Sequence, residues 1–273
     1  MIAMADPVPA FYNIRFLDEL AAKKSIIHNV HPLMKLLTTG VYLLVTVSFN
    51  NYDLSSMLPL IFYPVIIMAL ADIPAVPIFK RVIPALPFII GIGIFNPIYD
   101  KTPVLVLPWI VVSGGWISFF SILLKGILTI TAALILVATT GMPKITSALG
   151  IIRIPGVFIT QLLLTYRYIA VLDEEAGRMV RAYSLRSAGE KGIKFRDWGP
   201  LTGHLLIKSM ERAQRVYRSM CCRGFAGEYH TGREKGISAG DLLYLAGWSL
   251  AFILIRRYNI SEILGWLMMG AKK

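Results

Sequence analysis

The chain has 273 residues, 56% of them hydrophobic and 16% charged, with a mean hydropathy of +0.63. An ordinary soluble domain carries about 25% charged residues, so the composition places the chain in a bilayer. A formal net charge of +12 is what a membrane protein accumulates by keeping Lys and Arg in its cytoplasmic loops, and it gives no ground for nucleic-acid binding.

Taken in order, residues 1–32 come first. Their opening "MIAMADPVPAFYNIRFLDEL" has neither a basic start nor a continuous apolar stretch, so it reads as a cytoplasmic or interfacial segment and not as a cleavable signal. A hydrocarbon core about 30 Å thick needs about 20 apolar residues in helix. By that measure residues 33–140 hold four crossings: 33–49, with Lys35 at its start; 57–71, containing Pro59 and Pro64; 82–99, without charge; and roughly 116–140, preceded by a short outer segment with Pro108 and "SGG". Lys125, the lone charge deep in the fourth, is either a functional group or one that snorkels or pairs within the bundle. Residues 72–81 read as a loop carrying Lys80 and Arg81, and 141–240 carry sixteen Lys and Arg against eight acids. The positive-inside rule therefore puts the N-terminus and the 141–240 region in the cytoplasm. A fifth crossing over 241–255, within a C-terminal helix and tail of 241–273, would leave Arg256, Arg257, Lys272 and Lys273 outside, against that rule.

The 141–240 region lacks strand alternation and repeats every three to four residues. In 157–186, Leu162, Tyr166, Ile169, Ala176, Val180 and Tyr183 share a stripe that Asp173 interrupts. Arg167, Glu174, Arg178 and Arg181 lie elsewhere, and Glu174 and Arg178 are spaced to pair. Asp173, Glu174 and Glu175 read as a solvated helix face. In the next helix Met210, Ala213, Val216, Tyr217 and Met220 form the apolar stripe, and Arg212, Arg215 and Arg218 the basic face. The predicted fold is thus all-α: a polytopic membrane protein of four to six crossings with long amphipathic cytoplasmic helices.

Both long helices end alike, in "AYSLRSAG" and "SMCCRGFAG". Arg186 is followed by Ser187 and Arg223 by Gly224, and a glycine just past a helix end takes left-handed geometry cheaply. Each arginine either complements its own helix dipole or projects a donor fork beyond the last turn.

At these residues the chain resembles the transmembrane coupling (T) component of energy-coupling factor (ECF) transporters, a branch of the ABC importers. The signature of that family is a pair of Ala-Arg-Gly motifs ending two long coupling helices. Here the second motif keeps Arg223 and Gly224 with Cys222 for Ala, and the first keeps Arg186 between Leu185 and Ser187. The stretch "LAAKKSIIHNVHPLMKLL" is similar to the CbiQ type, which serves cobalt or nickel uptake. The resemblance implies two cytoplasmic ABC-type ATPase subunits that receive Arg186 and Arg223, with Arg212 and Arg215 on a supporting basic face. It also implies a separate membrane substrate-binding (S) subunit such as a CbiM-like protein, and residence in a prokaryotic plasma membrane. A T component of a vitamin transporter is the alternative within the family.

Absences agree with a subunit that performs no chemistry. Without G-x-x-x-x-G-K-[ST], the chain is expected to be no enzyme and to hold no cofactor of its own, ATP and Mg being bound by the partner ATPases. The i, i+3 pair His28 and His31 is expected to face solvent or headgroups and not to bind a metal. Cys221 and Cys222 read as free thiols. A self-contained secondary transporter would want internal repeats and ionisable groups on several spans, and neither is visible.

Overall fold

The computed structural model describes residues 18–23, 25–50, 54–99, 103–106, 111–187, 192–227 and 236–257. The first 17 residues and the segment from Tyr258 onward, with Lys272 and Lys273, lie outside the described residues. The chain divides into two compact units. One comprises Leu20–Gly141 and Lys235–Lys273, the other Met1–Glu19 and Met142–Glu234.

The first unit is a bundle built around α2 (Pro32–Ser48), which a one-turn helix α1 (Ile26–Asn29) precedes. Pro32 starts α2 at a position whose N–H would be unpaired in any case. Its buried positions Lys35, Thr38, Thr39, Tyr42 and Thr46 recur every three to four residues and make one stripe. Thr38 and Thr46 donate back to the carbonyls of Met34 and Tyr42 at 2.8 Å, which satisfies their hydroxyls inside the apolar bundle.

Then comes a broken helical run over Leu54–Leu70: α3 (Leu54–Met57), a 3-10 turn (Leu58–Ile61) and α4 (Phe62–Leu70). It starts three residues before the predicted second crossing, and its break falls at Pro59. Pro64 has no N–H for the carbonyl of Leu60, and the hydroxyl of Tyr42 donates to that carbonyl at 3.1 Å instead. The third run corrects the sequence reading. Residues 75–99 form one nearly continuous helical run, as α5 (Ala75–Val82), a 3-10 turn (Ile83–Ala85), α6 (Leu86–Gly93) and, past a turn at Ile94, α7 (Phe95–Tyr99), so Lys80 and Arg81 sit in a helix and not in a loop. Pro84 and Pro87 break the pattern without ending it.

A two-stranded antiparallel ribbon, β1 (Pro103–Val106) and β2 (Val111–Ser113), occupies part of the predicted outer segment. It is the one departure from helix among the described elements, and the fold remains that of an all-α polytopic membrane protein. Next, α8 (Gly114–Thr140) begins at the first glycine of "SGG", two residues ahead of expectation. The unit closes with α12 (Ala239–Arg257), which packs chiefly on α2, as α8 also does.

Ala75–Ile98, Gly114–Thr140 and Ala239–Arg257 are long and apolar enough to cross a membrane, while Pro32–Ser48 and Leu54–Leu70 are shorter apolar helices. Large apolar side chains such as Leu44, Phe62, Phe88 and Ile92 are exposed, as lipid contact requires. Lys125 pairs inside the bundle: its Nζ donates to the carbonyl of Phe49 at 2.6 Å, just past the end of α2. Arg256 donates to the neighbouring carbonyl of Ser48 at 3.0 Å, and its guanidinium lies 4.7 Å from the centre of the Phe49 ring. Two cations thus serve carbonyls that a helix C-terminus leaves unpaired.

In the second unit α9 (Met142–Ile151) packs on α10 (Gly156–Arg186), and α11 (Phe195–Cys222) packs on α10. Arg153, at φ 66°, turns the chain between α9 and α10. Tyr166 on α10 donates to Asp18 at 2.7 Å, which ties Asp18 to this unit.

Candidate functional site

The long helices α10 and α11 run antiparallel. Residues 175–186 of α10 face residues 197–208 of α11, and residues 157–172 face the stretch from 209 to the turn at 225–227. Where the two halves meet, Glu175 bridges the pair. One carboxylate oxygen accepts from Lys208 on α11, the other from Arg178 at 2.7 Å. Those two cations hold the Glu175 carboxyl down at about 2, well below its ordinary 4.5. Arg178 therefore makes its salt bridge with Glu175, with Glu174 adding a weaker coulombic attraction, and Glu175 is a bridging residue, not part of a solvated face. The i, i+3 and i, i+4 spacings are equally available on a helix. What selected Glu175 is a cation on another helix, which spacing within one helix does not reveal. Near the turn joining the helices, the Tyr183 hydroxyl donates to Asp197 at 2.6 Å, which raises the pKa of that phenol. Asp197 also lies in the first turn of α11, where a carboxylate complements the helix dipole.

The arginines leave this pair at opposite ends. Counting from the Glu175–Lys208 bridge, Arg186 lies 11 positions on and Arg223 15, or about 16 and 22 Å along straight helices at 1.5 Å per residue. Arg186 is the last residue of α10 and is exposed; Leu185 beside it is 85% exposed. Ser187 caps the helix, its N–H donating to Tyr183 O at 2.9 Å. Arg223 caps α11 and is also exposed, next to the exposed Cys222. Gly224 follows at φ 82°, with its N–H on Cys221 O and the Phe225 N–H on Met220 O, both at 3.0 Å. That double closure is the Schellman arrangement. The two ends thus share an exposed arginine but not a backbone: Ser187 accompanies a plain helical end, and Gly224 a left-handed one.

Among the described residues, recesses lie between the facing helices. The one near Arg186, about 790 Å³, is walled by Arg178, Arg186, His204 and Lys208 with Glu175 and Asp197, a predominantly basic lining. The other, an open groove of about 750 Å³, is apolar and lies toward Arg223. Ala213, Val216, Tyr217 and Met220 line it as the predicted stripe, but Met210 does not. Arg212 is half-buried on its wall, whereas Arg215 is exposed and 3.7 Å from Glu211. On α10 the groove takes Leu164, Tyr168 and Leu172, a face rotated from the predicted stripe, of which only Ile169 reaches it. α10 is apolar on more than one side, so periodicity alone did not choose the face.

His28 and His31 are buried and do not face solvent. The Nε2 of His28 is 3.0 Å from Leu20 O and its Nδ1 2.7 Å from Ser25 Oγ, while His31 Nδ1 accepts from the Leu33 N–H at 3.2 Å. Among the described residues no group of three His, Cys, Asp or Glu side chains is placed to hold a metal ion.

An uncharacterized protein of Methanocaldococcus jannaschii, MJ1571, is 26% identical over 244 residues, covering 84% of this chain and 82% of its own. A second from the same organism, MJ1089, is 30% identical over 101 residues, about a third of each chain (36% and 37%). The profile of the CbiQ family, described as cobalt transport protein, matches residues 23–233. It takes in α2, the bundle helices through α8 and both arginine-bearing helix ends. With apolar helices fit to span a bilayer and a family match over most of its length, the chain is a membrane protein of cobalt transport and belongs to the CbiQ family.

Proposed function

We propose that the chain is the transmembrane coupling subunit of an ECF-type ABC importer, serving cobalt uptake in a prokaryotic plasma membrane. One observation carries the reading: Arg186 and Arg223 stand exposed at opposite ends of a single antiparallel helix pair. Two cytoplasmic ATPase subunits each take one arginine into an acidic groove, where the guanidinium makes paired, charge-assisted bonds that lysine cannot copy. ATP and Mg are bound there, and this chain performs no catalysis and holds no cofactor. Closure of the ATPase pair shifts the ends of α10 and α11, and the helices transmit that shift to a separate membrane subunit that binds the cobalt ion.

The double substitution Arg186→Ala, Arg223→Ala tests the reading. Membrane insertion should be unchanged, ATPase subunits should no longer copurify, and ATP-driven cobalt uptake should be lost. Normal uptake with normal ATPase recovery would refute it. Nickel in place of cobalt is settled by competition in the same uptake assay.

A further inference from the structure

The chain passes between its two compact units three times, after Glu19, after Gly141 and after Glu234. Near each passage a polar contact ties the backbone to one small cluster at the start of α2. Just beyond the first, the Leu20 carbonyl lies 3.0 Å from His28 Nε2. A carbonyl can only accept, so that nitrogen carries the hydrogen and Nδ1 accepts from the Ser25 hydroxyl. Two residues before the second, the Thr139 carbonyl accepts from Lys35 Nζ at 3.0 Å, and the same ammonium donates to the His28 carbonyl at 3.4 Å. Beyond the third, Asp241 accepts the N–H groups of Ser238 and of His31, both at 2.9 Å.

The cluster is buried: Lys35 is 3% exposed, His28 8%, His31 6% and Asp241 9%. Burying an ammonium and a carboxylate is costly unless each is fully engaged, so ionic groups here ask for a purpose. Their placement supplies one. Thr139 belongs to the last turn of α8 and Asp241 to the first turn of α12, the turns whose backbone groups a helix leaves unpaired. Gly141, at φ 77° and ψ 148°, then turns the chain immediately after the held carbonyl, in a region open essentially to glycine.

We propose that Lys35, with His28, His31 and Asp241, forms a positioning cluster that fastens the chain near the passages between the two units to the N-terminal end of α2. Displacement of α10 and α11 is then delivered to the membrane helices instead of being absorbed by slack backbone. This last consequence rests on the coupling function proposed above, whereas the fastening itself does not.

Hydrogen exchange on the purified full chain in lipid nanodiscs tests the fastening, with Lys35→Met and Asp241→Asn. Exchange should quicken at least tenfold over residues 137–142 in the first variant and over 238–242 in the second, and stay unchanged over 44–49 at the far end of α2. In the assembled transporter, the ATP hydrolysed per cobalt ion imported should rise several-fold at unchanged ATPase recovery. Unaltered exchange in both variants overturns the proposal, and so does faster exchange with an unaltered ratio, which would make the cluster merely structural. If Lys35→Met does not insert, Asp241→Asn decides alone, since it keeps the side chain's size while it removes the charge and turns one of the two accepting oxygens into a donor that cannot serve the His31 or Ser238 N–H. If the double-arginine variant transports normally, the coupling function fails, and the exchange result alone decides the fastening.

Discussion

Tyr42 of α2 gives its hydroxyl to the carbonyl of Leu60, the acceptor that Pro64 leaves without a helical partner. The ring packs against Tyr63 and Phe252 at centroid distances of 4.6 and 5.2 Å. Tyr42→Phe therefore removes the hydrogen bond and keeps the aromatic contacts. The variant should lose about 1 kcal/mol of stability, read as a lower midpoint of thermal unfolding in detergent. An unshifted midpoint would mean the broken helix needs no help from α2.

Lys125 and Arg256 act on the other end of α2. Lys125→Met keeps an apolar stem and leaves the Phe49 carbonyl without its charged donor. A loss of about 2 kcal/mol is expected, together with faster amide exchange over residues 44–50. A transport defect without any change in stability or exchange would return Lys125 to the list of functional candidates.

Glu175 predicts a pH response. Its carboxyl is held at about 2 in the folded chain against 4.5 ordinarily. The depressed value means that its stabilising effect is full above about 4.5 and is lost as pH falls toward 2. Glu175→Gln should flatten the part of the unfolding-temperature profile that Glu175 contributes between those values. Identical profiles for the two proteins across that window would show that the bridge to Lys208 contributes nothing.

Gly224→Ala isolates the backbone at the second arginine. No atom lies within 4 Å of an added Cβ, so crowding plays no part. Left-handed geometry at a residue with a Cβ costs about 1–2 kcal/mol, and the end of α11 should fray, moving Arg223. ATPase recovery should fall while Ser187→Gly, at a helical φ of −85°, leaves it intact. Equal recovery from both variants would dissociate the glycine from the arginine's placement.

The membrane helices were legible because a bilayer demands length and grease, and both are written locally. Both arginine-bearing ends were legible for the same reason, as helix ends carry local signals. What escaped the sequence was chosen between elements. Glu175 was selected by Lys208, 33 positions away; His28 and His31 were buried by contacts with Leu20 and Asp241; and the groove face of α10 was set by which side α11 covers. The ribbon of β1 and β2 escaped because its strands are only four and three residues long, too short for alternation to register.

The open apolar groove between α10 and α11 bears on how the protein is made. Tyr217 on its wall and Val157 at its mouth are 61% and 67% exposed, and an exposed apolar hollow of that kind is adhesive. A copy synthesised without companions carries this tacky surface from the moment it folds. A copy whose groove stays uncovered is therefore expected to self-associate more readily than one whose groove is filled.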